Sequence, residues 1–560
     1  MKKSDWLWFA AFTAFFAVCA AIVFYGTWGL GFVPVSPDDP IGYLAPWSDA
    51  VARWWNGIAT HGKVLPTDLV WNGIFVSPWF CKELKYCVGV YLAALSVVYF
   101  LRGRGLGRLA AYGAGIFLAF SGYWMTLYSA GHGGFYIWMS YGLWSFGLID
   151  RAVRFGSVRH WLLLGLTEAW GSCWQQDIWL TFVLLTGAWY VYSVIVTARG
   201  AEERKAFFKR IAFGTALAAA AFAVIGAVSV RDAFVSALAS RDKQIEEQSG
   251  TALTGGKGKE DKDARWIFVT NWSLPFDETA EFILPRLNGD TSCPLTLSIG
   301  SRQGTGVKPY TGALGRPYGA KEGNYRQHSL YVGWYTCLLA LAAVWFAFRG
   351  GTDRRTVFFF FGAAIVFWLF SLGRYCEPVY RLVYLLPFGD SLRAPVKWHH
   401  VTEFCLAVLA GFGIEATVNA LLTRGGAGLR KYAPAIVGAL VVYGGLALAS
   451  HDHLYCAALD MTKAHEKNCS TKMTVLSRQD FQNPQVQQMV KAGMIVSHAN
   501  YLGNPDYFLV DILSPREKAV RKLNKPEPLP CALGLLALLG ALAVGAFVWY
   551  DRRHEHQRLR

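Results

Sequence analysis

Charge is what this sequence has least of for its length. Only 16% of its 560 residues are Asp, Glu, Lys or Arg, where a soluble chain carries roughly 25%. A set of ordinary globular domains is therefore excluded. Its eleven cysteines include no C-x-x-C pair, which removes the common zinc and dithiol motifs. No G-x-x-x-x-G-K-[ST], G-x-G-x-x-G, H-E-x-x-H or G-x-S-x-G is present, so chemistry driven by bound nucleotide is not expected. No repeat of period 20–50 stands in the chain.

What is present is apolar. Hydrophobic residues make up 54% of the chain and aromatic residues 15%. They fall in repeated runs of about 17–22 residues, the length that crosses a hydrocarbon core of about 30 Å. These runs predict a polytopic membrane protein. The start, MKKSDWLWFAAFTAFFAVCAAIVFYG, has the charge of a signal peptide but too long an apolar run and no small-residue cleavage site. It reads as a retained first helix.

The net charge of +16 is placed in short turns rather than in a polyanion-binding face. Arg102, Arg104 and Arg108 form one cluster, and Arg151, Arg154 and Arg159 another. Further clusters are Arg199 to Arg210, Arg349 with Arg354 and Arg355, Arg424 with Arg430 and Lys431, and the tail from Arg552 to Arg560. Each lies between apolar runs, the pattern of positive-inside topology. Nucleic acid is not an expected partner.

Expected spans are 6–29, 85–101, 109–129, 135–150, 161–173, 178–197, 211–230, 328–348, 356–372, 399–420, 433–450 and 529–550. The fold class is then all-α with about twelve transmembrane helices and both termini cytoplasmic. The short runs 135–150 and 161–173 are the weak members, each a candidate for a tilted or broken helix. The chain divides into 1–230, an N-terminal transmembrane half with the acidic loop 30–84, and 231–327, a large and partly flexible external loop. There follow 328–450, the C-terminal half with the basic loop 373–398, then 451–528, a small external segment, and 529–560, a last helix with a basic tail. Cys81 with Cys87 and Cys456 with Cys469 are possible external disulfides in an oxidising compartment.

Four features carry candidate chemistry. The first external loop opens GFVPVSPDDPIGYLAPWSDA, with Asp38, Asp39 and Asp49 among four prolines and no basic residue. Ser-Pro-Asp-Asp-Pro is ordinary turn chemistry. A carboxylate at a membrane surface also suits a general base or a divalent-metal ligand. The following VARWWNGIATHG suits an interfacial helix. Second, GHGG places His132 in a tight external turn among aromatics that read more readily as an interfacial belt than as a sugar platform. Third, Gln175, Gln176 and Asp177 sit at the outer end of a short span, with Glu168 deeper; they form a simple turn or the wall of a polar pocket. Fourth, the external loop 373–398 holds Arg374, Arg381, Arg393 and Lys397. Four cations there run against the positive-inside bias and suit a phosphate, through a specific site or through ordinary phospholipid.

The run HSLYVGWYTCLLALAAVWFAF and the run from FGAAIVFWLFSLG through LPFGDSLRAPVKW to LAGFGIE resemble the second half of the bacterial YfhO-type membrane proteins. Tyr43, Pro46 and Trp47, the FSGY element Phe120–Tyr123, and the Gly131–His132 turn follow that family's layout in the first half. WQQD stands where the family has an HPQ-like element, a departure that leaves the role of Asp177 open. The resemblance covers roughly residues 1–425. That family in turn is similar to GT-C glycosyltransferases, which move a sugar from a polyprenyl-phosphate carrier to an acceptor outside the cytoplasm.

The resemblance implies a site on the extracytoplasmic face of a bacterial inner membrane. Asp38 or Asp39 would be the general base. Arg393 and Lys397, assisted by Arg374 or Arg381, would hold the carrier phosphate. Asp49 and Gln175 to Asp177 would bind sugar hydroxyls or a metal, and His132 would be a further substrate-binding residue. Partners would be a polyprenyl-phosphate-linked sugar, membrane lipids, and a glycan, lipid or protein acceptor. A carboxylate pair of this kind can hold Mg²⁺ or Mn²⁺, although the sequence requires no metal. The other reading of the pattern is a multi-span transporter or lipid-linked-glycan flippase, with Glu168 and Glu403 as its intramembrane acids.

Overall fold

The computed structural model describes residues 3–24, 32–34, 85–123, 133–174, 176–249, 265–284, 314, 330–350, 353–386, 389, 392–449, 470–491, 495–501, 504–512, 537–542 and 544–546. Most of them are helical. Among the described residues, five helices are long and apolar enough to cross a membrane: Tyr86–Gly103, Asp177–Arg199, Arg204–Val228, Arg354–Ser371 and Pro395–Ala420. Shorter apolar helices are Asp5–Ala20, Arg108–Ala119, Trp334–Phe348 and Ala537–Ala546. Only 17% of the Arg204–Val228 window is buried in protein. Its Phe213 and Val224 are 64% and 73% exposed, which marks a surface made for hydrocarbon rather than water.

The helical path departs from the expected spans in three places. The expected span 135–150 is two helices, Gly133–Gly142 and Trp144–Phe155, interrupted at Leu143. Neither piece is long enough to cross a bilayer alone. The helix from Arg204 runs on to Ser249, 46 residues, or about 69 Å at 1.5 Å per residue. It therefore overshoots the expected end of that span at 230, into the segment read as the start of an external loop. The third departure concerns 399–420 and 433–450, between which the backbone stays helical from His399 to Ala449. A straight helix would put residues 413 and 443 about 45 Å apart. However, Gly413 lies against the Leu339 carbonyl and Tyr443 stacks on Trp334 at 4.5 Å, only five residues along the neighbouring helix. The path therefore turns back between these two contacts.

The core is built from aromatic contacts between helices that are distant in sequence. Phe146 meets Phe404 at 4.5 Å, Trp138 meets Phe182 at 4.7 Å, and Phe100 meets Trp189 edge-on at 5.3 Å. Small residues set the closest approaches, as expected where lipid offers no hydrophobic drive between helices. A Cβ at Gly413 would stand 1.9 Å from the Leu339 carbonyl oxygen. Because that obstacle is backbone, no rotamer relieves it. Gly413→Val is expected to cost about 1–3 kcal/mol, toward the upper end because the obstacle is backbone, measured as a lowered thermal midpoint in detergent; an unchanged midpoint would contradict the packing.

One end of the bundle is tied by charge. Arg104 donates to Asp150 at 2.8 Å and also bridges to Asp353. Arg154 reaches Asp150 at 3.1 Å, and the Gly107 amide donates to Glu415 at 2.8 Å. Asp353 caps the Arg354–Ser371 helix by accepting from the Thr356 amide at 3.3 Å. The turns carrying Arg104, Arg108, Arg154 and Arg354 therefore share one end, as their spacing predicts. Burial alone would raise the Asp353 carboxyl, but the Thr356 hydrogen bonds and the Arg104 charge hold it below its ordinary value of 3.8. A lowered folded-state pKa gives stability that is present above the unfolded value and lost as pH falls through the folded one. Acid unfolding below about pH 4 is thus expected to be less steep in Asp353→Asn than in the parent, read from thermal midpoints across pH. Equal slopes would show that Asp353 contributes nothing to it.

The fold is not wholly α. Four strands form an antiparallel sheet in the order β1-β2-β4-β3: Phe32–Pro34, Ser470–Ser477, Asn504–Ile512 and Ile495–Tyr501. Pro34 pairs with Ser470 and Phe32 with Lys472. The sheet of residues 470–512 thus takes its edge strand from residues 32–34. Pro34 suits that edge because it has no amide to donate. The all-α expectation is corrected here: sequence-distant pairing supplied what a three-residue strand could not signal. Cys87 is buried; Cys81, Cys456 and Cys469 lie outside the described residues, as does the interfacial helix expected in the first loop.

Candidate functional site

The opposite end of the bundle is held together by residues 265–275 and 371–398. Leu274 donates to the Ser371 carbonyl at 2.9 Å, Ala394 to Val269 at 3.2 Å and Val396 to Trp272 at 3.0 Å. Gly373, with φ of 49°, lies so close to this strap that a Cβ would stand 2.1 Å from Ser273 Oγ. The Ser273 hydroxyl accepts from the Arg374 amide at 3.0 Å and donates to the Thr270 carbonyl at 2.6 Å. Tyr380 donates to the Leu392 carbonyl at 3.2 Å, and burial pushes its phenol well up.

Lys397 owes its direction to its neighbours. Ala394 adopts a left-handed conformation, φ 64°, and Pro395 begins a 3₁₀ turn to Trp398. Trp398 packs into the core against Phe367 at 5.6 Å and Phe370 at 5.4 Å. With Trp398 turned inward, Lys397 reaches across to Asp177, and Nζ and Oδ2 form an ion pair. Asp177 lies in the first turn of the Gln176–Arg199 helix, where its other oxygen accepts from the Ile178 amide at 2.9 Å. A carboxylate is favoured at that helix end. The structure thus brings together two of the four sequence-predicted features, 220 residues apart. The pair is about a quarter exposed, 21% at Lys397 and 29% at Asp177.

The other three cations divide. The Arg393 guanidinium lies 4.5 Å from the Trp272 ring and 5.3 Å from Phe268. Such stacking fixes the plane of the guanidinium and leaves its edge as the hydrogen-bonding side. Arg381 pairs with Glu377 at 2.7 Å, lies 4.1 Å from Trp266, and is half-exposed. Arg374 lies over Tyr375 at 5.2 Å. Glu168 accepts from Trp179 Nε1 at 2.8 Å, an interhelix contact two residues past Asp177 in the chain. Asp38, Asp39, Asp49, His132 and Gln175 lie outside the described residues, as does the side chain of Gln176. Asp38 follows Pro34 of the sheet by four residues, a chain reach of at most about 14 Å.

A second polar group was not singled out as a unit in the sequence. His399, His400 and Glu403 open the long helix and are each at most 1% exposed. Ser121 donates to Glu403 Oε1, His400 Nδ1 is 3.5 Å from Oε2, and His399 Nε2 is 3.9 Å from Oε1. Tyr123 stacks on His400 at 4.3 Å and Phe282 lies against His399 at 4.3 Å. Glu278 and Glu281, on the adjoining 3₁₀ turn Asp277–Phe282, are equally buried. Titratable residues at the mouth of an apolar run, HHVTE, were the signal available in the sequence. Among the described residues, no group of three or more His, Cys, Asp or Glu is arranged to hold a metal ion. No protein-family model, curated protein or solved structure matches the chain.

Proposed function

We propose that this protein is a membrane glycosyltransferase that moves a sugar from a polyprenyl-phosphate carrier to an extracytoplasmic acceptor. The observation that carries the reading is Lys397, paired across the bundle with Asp177 and close in sequence to Arg393 on its aromatic platform. A preorganised cation at the edge of an apolar bundle suits a lipid-borne phosphate leaving group. The motif order and the acidic first loop of the resembling family support the same reading. On this reading Asp38 or Asp39 takes the acceptor hydroxyl proton as its oxygen bonds to the anomeric carbon. The bond to the carrier phosphate breaks, and the electron pair leaves on the phosphate facing Lys397 and Arg393. A single displacement inverts the anomeric centre. The test is Asp38→Asn with Asp39→Asn in reconstituted protein supplied with lipid-linked sugar. Transfer should be lost while insertion and folding persist; retained transfer would sink the catalytic assignment.

A second reading, a transporter or lipid-linked-glycan flippase, draws on the buried His399–His400–Glu403 group within a candidate span. Ionisable residues at such depth commonly mark pathways. Under it the Asp38/Asp39 double variant keeps its activity and Glu403→Gln loses it.

A further inference from the structure

The helix Glu377–Tyr384 and its flanks present three different faces. Tyr380 and Val383 are buried against the bundle. Arg374, Glu377 and Arg381 lie three or four residues apart, the spacing of one helical stripe. The third stripe, its members seven and three residues apart, is apolar and faces outward. In it Tyr375 is 44% exposed, Leu382 63% and Leu385 78%, with Leu386 beside them. A helix that is apolar toward the protein and over much of its outward surface, with a charged stripe between, suits a boundary between water and hydrocarbon.

Its place in the chain says what lies outside. The candidate span Arg354–Ser371 ends just before Gly373, and the candidate span Pro395–Ala420 begins just after Ala394. The segment between them is therefore at the depth where hydrocarbon gives way to headgroups. Phe276, 67% exposed and 5.9 Å from Trp368, adds apolar surface at the same end. Interfacial helices of this kind bury one apolar face at the boundary and hold arginines at the headgroup level.

We propose that the helix Glu377–Tyr384 and its flanks, residues 375–386, dock on lipid. Tyr375, Leu382, Leu385 and Leu386 enter the leaflet, and Arg374 and Arg381 bind the phosphates of anionic phospholipid. Glu377, paired with Arg381, sets the limit of the cationic strip. Lys397 and Arg393 then serve the carrier phosphate separately, while bulk lipid is held by the outer pair.

The experiment uses the full chain in bilayers, with a bimane label at Leu385→Cys and the signal of the labelled parent chain subtracted. Leu385 points away from the core, so the label leaves packing intact. Brominated phosphatidylcholine and phosphatidylglycerol are expected to quench it, and aqueous iodide is not. Arg374→Gln or Arg381→Gln should each lower the preference for phosphatidylglycerol about fivefold. Quenching by iodide alone overturns the proposal, and so does shielding from both quenchers, which would place a second protein copy on this face. An unchanged lipid preference in both arginine variants overturns the headgroup assignment. None of these readouts depends on sugar transfer.

Discussion

If the proposed sugar transfer is this protein's activity, Lys397→Ala is expected to lower it by about 10²–10³-fold, mostly in kcat, the usual loss when one preorganised stabiliser of developing charge is removed. The same change leaves the Asp177 carboxylate partly buried without its cation. At this exposure the expected stability cost is about 2 kcal/mol, between the small value of a surface pair and the larger one of a buried pair. The two effects separate in the exchanged pair, Asp177→Lys with Lys397→Asp. That variant restores an ion pair between the helices, so its thermal midpoint should recover toward the parent. Transfer should stay low, because the cation now sits on the other helix. Full activity in the exchanged pair would reduce Lys397 to a strut, and full activity in Lys397→Ala would remove it from the mechanism.

Glu403→Leu is the other substitution expected to have a large effect. The carboxylate accepts from Ser121 and faces both His399 and His400 in a site with almost no solvent exposure. Leucine leaves these polar groups facing hydrocarbon, at about 1–3 kcal/mol for each group that loses its partner. The thermal midpoint should fall further than in Gly413→Val. Glu403→Gln keeps an acceptor oxygen for Ser121 and should recover most of the loss. If glutamine is as damaging as leucine, the site needs the negative charge rather than the hydrogen bond. Sugar transfer in the folded Glu403→Gln protein is expected to be close to that of the parent, and its loss would favour the transport reading.

Much of the helical layout is legible because its signals are local. An apolar run of spanning length, bounded by a basic turn, is read within about 25 residues. Arg104, Arg108, Arg154 and Arg354 accordingly gather at one end of the bundle. The break at Leu143 escapes such reading, since apolar sequence continues on both sides of it. The β1 strand escapes for a different reason. Phe32–Pro34 has no alternation to detect, and its partner strand begins at Ser470, more than 400 residues on. Among the candidate site residues, Arg374, Arg381, Arg393 and Lys397 stood out because positive charge in that loop opposes the topology signal. His399 and His400 did not, because two histidines beside an apolar run look like ordinary helix-end residues until their burial is seen.

The sequence by itself determined a membrane protein of many apolar helices, which turns are basic, and which loops hold acids and cations. Those properties follow from composition over short windows, where the solvent preference of each side chain adds almost independently. Only the tertiary structure decided that Lys397 meets Asp177, that Ser121, Tyr123 and Phe282 enclose Glu403 and its neighbouring histidines, and that Phe32–Pro34 pairs with Ser470–Lys472 in a sheet. Each of these is a contact between residues tens to hundreds of positions apart. Its existence depends on how the helices pack, through close approaches such as Gly413 on Leu339. Pairing of that kind is a property of the assembled bundle, and no window of sequence contains it.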